Sequence, residues 1–217
     1  MYFFKTPDII QKLFPRITWK MEDSERVVYL TFDDGPIPEV TPFVLDVLRD
    51  NGAEASFFCV GENAYKHNEI YKLILENGHT VGNHTYNHLS SWSVSGQEYT
   101  ENCEKASMYI SSSWFRPPYG KLTPLTYSTL LKMHYKICMW DILTGDFDTT
   151  KNSNSILENC KKYVSNGSIL VLHDNVKTFK TLETLLPQLC HFLSSEGYEM
   201  RALPKLQNNK TNQIGRK

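Results

Sequence analysis

At 217 residues, with 41% hydrophobic and 22% charged side chains, the chain has the composition of one globular domain with one sizeable core. A formal net charge of −1, without a basic stripe interleaved with aromatics, excludes the electrostatic footprint of a nucleic-acid binder. Residues 1–20 lack the apolar core of about 7–15 residues that a secretory signal needs, and no stretch approaches the about 20 apolar residues of a transmembrane segment, so the chain is expected in the cytoplasm.

A lead-in of residues 1–26 precedes Val27–Phe32, the first of several runs rich in β-branched and aromatic residues. The others are Ser56–Val60, Thr80–Gly82, Ser113–Phe115, Tyr135–Trp140, Ser168–Leu172 and Tyr198–Leu203. Helical patterns lie between most of them. Val40, Phe43, Val44, Val47 and Leu48 mark one helix face, which Asn51-Gly52 terminates. Helices are further expected over 62–77, 97–111, 123–133 and 154–165, and Leu185, Leu186, Leu189, Phe192 and Leu193 mark another before Gly197. Strand-then-helix alternation with little polar alternation inside the strands implies an α/β fold, a parallel sheet covered by helices over residues 27–204. Composition does not choose between a closed barrel and an open doubly wound sheet. The polar tail Lys205–Lys217 lacks periodicity and is expected to be disordered. Five cysteines, an odd count without a C-x-x-C pair, fit a reducing compartment, and Cys59 and Cys138 fit small buried hydrophobes.

Five polar clusters follow strand-like runs. Thr31-Phe32-Asp33-Asp34-Gly35-Pro36 places two adjacent carboxylates at a strand end, where they repel unless a cation or hydrogen bonds compensate them, although turn or capping chemistry also accounts for such a stretch. His84-Thr85-Tyr86-Asn87-His88 pairs imidazoles at i and i+4, which a helical turn would put on one face to clasp an ion; alone, the pattern equally describes two surface histidines. Arg116-Pro117-Pro118-Tyr119-Gly120 restricts the directions of Arg116 and of the Tyr119 backbone N–H. The segments from Trp140 to Phe147 and from Ile169 to Asp174 run from apolar into polar residues. Polar clusters after successive strands suit a site at the C-terminal edge of a parallel sheet.

The ordered set TFDDGP, HTYNH, RPPYG, W-x₅-D-F and LVLHD, spread over Val27 to Leu203, resembles the polysaccharide deacetylase or NodB-homology family, family four of the carbohydrate esterases. That resemblance implies a distorted (β/α) barrel and a metal-dependent hydrolase that removes acetyl groups from N-acetylhexosamine units of a polysaccharide, glycolipid or envelope precursor. It also implies a divalent metal, with Zn²⁺ expected and Co²⁺, Ni²⁺ or Mn²⁺ suited, held by Asp34, His84 and His88. Asp33 matches the catalytic base, Arg116 its orienting partner, the Tyr119 backbone N–H the oxyanion donor and His173 the general acid. Asp146 matches a carboxylate supporting either the Arg or the His. Three positions depart from the pattern: Leu143 stands where the fourth motif often has Asp, Phe147 where Trp is common, and Val171 where Leu usually lines the acetyl-methyl pocket. The first two leave the roles of Asp141 and Asp146 open. An O-acetyl esterase on an acetylated glycan and a non-catalytic glycan-binding relic are the competing functions.

Overall fold

The computed structural model describes residues 2–22 and 25–206; the polar tail therefore lies outside the described residues from position 207 on. Helix α1 (Asp8–Leu13) leads to β1 (Val27–Asp33), α2 (Thr41–Asp50) and β2 (Ala55–Cys59). Then come α3 (Gly61–Lys66), α4 (Asn68–Glu76), β3 (Thr80–Asn83), α5 (Gly96–Ser107) and β4 (Trp114–Phe115). A 3-10 turn at Pro118–Gly120 precedes α6 (Pro124–Lys132), β5 (Lys136–Ile137) and β6 (Ile142–Leu143). The last described elements are α7 (Ser153–Tyr163), β7 (Ile169–His173), α8 (Phe179–Ser195) and β8 (Glu199–Met200).

Seven strands pair in the order β5-β4-β3-β2-β1-β7-β6, each neighbour parallel to the next, in a curled sheet covered by helices. This is the distorted barrel, not the open doubly wound sheet. All seven β1 residues are buried, as a central strand covered on both faces requires. Alternation along β1 sends Val28, Leu30 and Phe32 outward into the helix layer, where α8 adds Leu182, Leu185, Leu186, Leu189 and Leu193. Val27 and Tyr29 face inward with Phe58, Trp114, Cys138 and Ile169. Thr31 and Asp33 share that inner phase, so the pleat itself delivers a carboxylate to the mouth of the barrel.

Several sequence expectations shift. The helix expected over 62–77 breaks at His67 (φ −120°, ψ 46°), and the break keeps Asn63 beside the β1 loop, where its side-chain amide donates to the Asp34 carbonyl (2.8 Å). Of the run Tyr135–Trp140 only Lys136–Ile137 stays in the ladder, because the chain then turns at Asp141, whose carboxylate accepts from Ser168 Oγ (2.9 Å) and Ile169 N–H (2.8 Å). That turn creates β6, which the sequence did not reveal. The seam between edge strands β5 and β6 is filled from the N-terminal side: Thr18 bridges Cys138 and Lys5 bridges Ile142. All five cysteines are buried and free. Among the described residues no helix is long and apolar enough to cross a membrane.

Phe57 in β2 is 1% exposed and stacks on Phe32 at 5.1 Å between ring centroids. Phe57→Ala should cost ~3–5 kcal/mol of unfolding free energy, read from denaturant titration, because the stacked neighbour cannot collapse into the space left.

Candidate functional site

The inward phase of β1 meets Arg116, which lies directly after β4 and has no exposed surface. Its Nη1 donates to Asp33 Oδ1 (2.7 Å) and Thr31 Oγ1 (2.8 Å), Nε to the Cys138 carbonyl (3.1 Å) and Nη2 to the Met139 carbonyl (2.9 Å). The guanidinium also lies 4.0 Å from the centre of the Phe58 ring. A planar fork held at this many points leaves Asp33 one orientation.

Asp34 turns away from the strand with a left-handed backbone (φ 87°). Gly35 follows because a Cβ there would overlap the buried Asp174 carboxylate, which instead accepts the Gly35 N–H (3.0 Å) and the Thr41 hydroxyl (2.6 Å). The HTYNH stretch is not a helical turn, contrary to the simplest use of its spacing. Thr85 (φ 64°) and His88 (φ 58°) are both left-handed, and the loop is held by Asn83 Oδ1 accepting Thr85 N–H (2.8 Å) and Asn102 Oδ1 accepting Tyr86 N–H (2.8 Å). The loop nevertheless brings both imidazoles to Asp34: His88 Nε2 lies 3.2 Å and His84 Nε2 3.7 Å from Asp34 Oδ1.

These three side chains fit a metal ion. Tetrahedral coordination with bonds of about 2.0–2.1 Å needs donors roughly 3.3 Å apart, and the three donor atoms lie within 4.8 Å of one another. Asp34 Oδ1 is buried without a hydrogen-bond partner, a condition that native interiors avoid unless something else satisfies the atom. His84 is prepared as a donor. Burial, with help from His88, pushes its pKa down to about 4 against the pull of Asp33 and Asp34, and its Nδ1 engages the Arg116 carbonyl (2.7 Å), leaving Nε2 with the lone pair. Asp34 Oδ2 is held by Asn175 Nδ2 (2.6 Å).

His173 ends β7, opposite Asp33 in the parallel register. Its Nδ1 contacts Asp146 Oδ1 (2.8 Å), and its backbone N–H donates to Asp146 Oδ2 (2.7 Å). Of the two partners left open for Asp146, the one it touches is the histidine. Burial disfavours the imidazolium, but the Asp146 carboxylate outweighs it and raises the pKa to about 9. Asp141 lies at the start of β7 instead, holding Ser168 and Ile169, where burial lifts its pKa to about 6.

One cleft of about 790 Å³ connects Asp33, Asp34, His84, His88, Tyr119 and His173. All eight sequence-derived positions thus meet at one mouth of the barrel: Arg116 stands behind Asp33 and Asp146 behind His173. Tyr119 sits at the rim with a left-handed backbone (φ 61°), an exposed side chain and its ring 4.6 Å from that of His88. Leu143 and Val171 line the same cleft on the His173 side, so the position departing from the motif's Asp supplies an apolar wall. Sequence reasoning missed Thr31, Asp174 and Asn175. All three lie inside or directly after quoted motifs, where a polar residue on the buried phase was the available signal.

Comparison with known proteins follows the same lines. The family model described as polysaccharide deacetylase matches residues 20–138. The chain is 32% identical over 201 residues to a peptidoglycan-N-acetylglucosamine deacetylase of Bacillus cereus, covering 88% of this chain and 92% of that one. It is 30% identical over 165 residues to a chitooligosaccharide deacetylase of Azorhizobium caulinodans, covering 71% and 77% respectively. Among solved structures, the peptidoglycan N-acetylglucosamine deacetylase Bc1960, crystallised with a naphthalenyl N-hydroxybenzamide, superposes with a TM-score of 0.84 at 28% identity, covering 92% of this chain and 95% of that one.

The Asp146–His173 contact has a direct test. In Asp146→Asn, burial acts on the imidazole without its main counter-charge, so an NMR titration of the His173 ring should show its pKa fall from about 9 towards or below the ordinary 6.5.

Proposed function

The chain belongs to the polysaccharide deacetylase family, and from that premise we propose that it hydrolyses N-linked acetyl groups on N-acetylhexosamine units of a polysaccharide, glycolipid or envelope precursor, using a divalent metal. The observation that carries this reading is the convergence of Asp34, His84 and His88 beside Asp33 and His173, with Asp34 Oδ1 buried and without a hydrogen-bond partner. Two imidazoles and a carboxylate suit Zn²⁺ and also Co²⁺, Ni²⁺ or Mn²⁺. Bound there, the ion would polarise the acetyl carbonyl and stabilise charge developing on its oxygen.

This chain's own groups supply the rest. Arg116 occupies Asp33 Oδ1, and Oδ2 is the oxygen that takes the proton from the attacking water. The Tyr119 backbone N–H donates to the developing oxyanion. His173, with Nδ1 on Asp146, presents Nε2 to the departing amine, and a pKa near 9 keeps it in the protonated form that an acid needs at neutral pH. Leu143 and Val171 receive the acetyl methyl.

Acetate release from acetylated glycans is the deciding measurement. Chelation should abolish it and Zn²⁺ or Co²⁺ should restore it; full turnover by exhaustively metal-free protein sinks the proposal. Asp33→Asn should keep its metal, assayed by elemental analysis, while losing ~10²–10⁴-fold in rate, whereas Asp34→Asn should lose the metal itself. A reversed pair of outcomes would exchange the two carboxylates' roles.

His173 separates the reaction classes. An amine leaves only when protonated, whereas an aryl alkoxide does not need that help. His173→Ala should therefore lower kcat/KM for an N-acetylated oligosaccharide ~10²-fold more than for an aryl acetate in the same metal-loaded preparation. Comparable wild-type turnover of O-acetylated glycans, insensitive to this substitution, would assign an O-acetyl esterase.

A further inference from the structure

The cleft is far larger than one acetylated sugar, and part of its wall comes from a segment that sequence motifs do not touch. Tyr2 lines it together with Phe147, Val176 and Lys177. The segment carrying Tyr2 is firmly docked: Leu143 N–H donates to the Phe4 carbonyl (2.8 Å), Thr6 N–H to the Asp141 carbonyl (2.7 Å) and Thr6 Oγ1 to the Trp140 carbonyl (2.8 Å). The Tyr2 hydroxyl donates to Asp148 Oδ2 (3.1 Å). Its approach also explains Gly145, where a Cβ would overlap that hydroxyl.

We propose that Tyr2 and Phe147 form a stacking platform for the sugar ring next to the one that loses its acetyl group, so that the N-terminal segment completes a glycan subsite. This rests on the deacetylase reading for the neighbouring ring, though not for the platform's own affinity. Phe147 stands edge-on to the His173 ring at 5.3 Å, and Tyr2 lies a further 5.3 Å from Phe147. The two rings, their planes 53° apart, thus extend an aromatic wall of the cleft beside the proton donor, where a neighbouring sugar of the same glycan can lie against it. Lys151, which does not line the cleft, places its ammonium 4.5 Å from the centre of the Tyr2 ring and so braces it from behind. Pyranose rings present apolar C–H faces that pack on aromatic faces, whose quadrupole attracts those hydrogens. Both rings are held before substrate arrives, which reduces the ordering cost of binding.

The test compares wild-type protein with Tyr2→Ala and Tyr2→Phe on three probes: a five-unit N-acetylglucosamine oligomer, an aryl acetate, and the fully deacetylated five-unit glucosamine oligomer, whose affinity is measured by calorimetry without turnover. Tyr2→Ala should raise KM for the acetylated oligomer and weaken calorimetric affinity, each about 3–10-fold, with kcat and aryl acetate hydrolysis unchanged. Tyr2→Phe, which keeps the ring, should behave as wild type. Equal losses on oligomer and aryl acetate, or no change on any probe, overturn the platform. Tyr2-dependent affinity in a wild-type protein that releases no acetate would leave the platform standing and remove the deacetylase reading; a wild type with no affinity for either oligomer overturns the platform.

Discussion

A guanidinium without solvent contact has to be compensated at once, because an unpaired charge in a protein interior costs several kcal/mol. Arg116 meets that condition with the carboxylate of Asp33, the hydroxyl of Thr31 and two carbonyls beyond β5, so its side chain ties the central strand to the far side of the sheet. Its backbone carries a second duty. The Arg116 carbonyl engages His84 Nδ1, which selects the tautomer whose Nε2 faces Asp34. One residue thereby orients the carboxylate on one side of the cleft and the imidazole on the other. Losing it would leave Asp33 buried without its counter-charge, a change that disturbs fold and site together.

The two histidines placed deepest in the cleft show how environment divides one side-chain type into two chemical tools. Both are desolvated, which disfavours their charged forms. His84 keeps that penalty largely uncompensated, and its pKa falls to about 4, as a neutral electron-pair donor requires. His173 adds a carboxylate within 2.8 Å of Nδ1, which reverses the sign and carries its pKa to about 9. The main difference is the partner on Nδ1, a neutral carbonyl in one case and Asp146 in the other, and the neighbouring His88 lowers His84 further.

What was legible in the amino-acid sequence was what local rules encode. The pleat of β1, read from Val27–Phe32, correctly implies two carboxylates at a strand's end, and the leucine periodicity of α8 identifies the face that covers the sheet. The family resemblance carried by the motifs implied a barrel, which periodicity alone left open, and pointed to eight residues that do meet. Long-range hydrogen bonds decided the rest. The left-handed turns at Thr85 and His88 depend on Asn102, which nothing in the HTYNH spacing announces. Strand β6 exists because Asp141 reaches Ser168 and Ile169, 27 and 28 residues on. Asp146 found its histidine, not the arginine, through contacts 27 residues apart.

The docking of the segment around Tyr2, Phe4 and Thr6 also bears on how the molecule assembles. Its contacts close loops of 134 residues, from Thr6 to Trp140, and 146 residues, from Tyr2 to Asp148. Contacts of such sequence separation form late, since their loop entropy must be overcome before they return any stabilisation. Strands β1, β2 and β3, which lead into Asp33, Asp34 and His84, can pair earlier through local helical crossovers, whereas β7, which carries His173, meets β1 only by closing a loop as long as those of the N-terminal segment. Until these long loops close, a folding chain would carry Asp33, Asp34 and His84 on a sheet still open along β1 and at the seam between β5 and β6, exposing unpaired strand edges of the kind that recruit other chains. Closing that seam protects the nascent molecule from self-association in the same step that finishes its cleft.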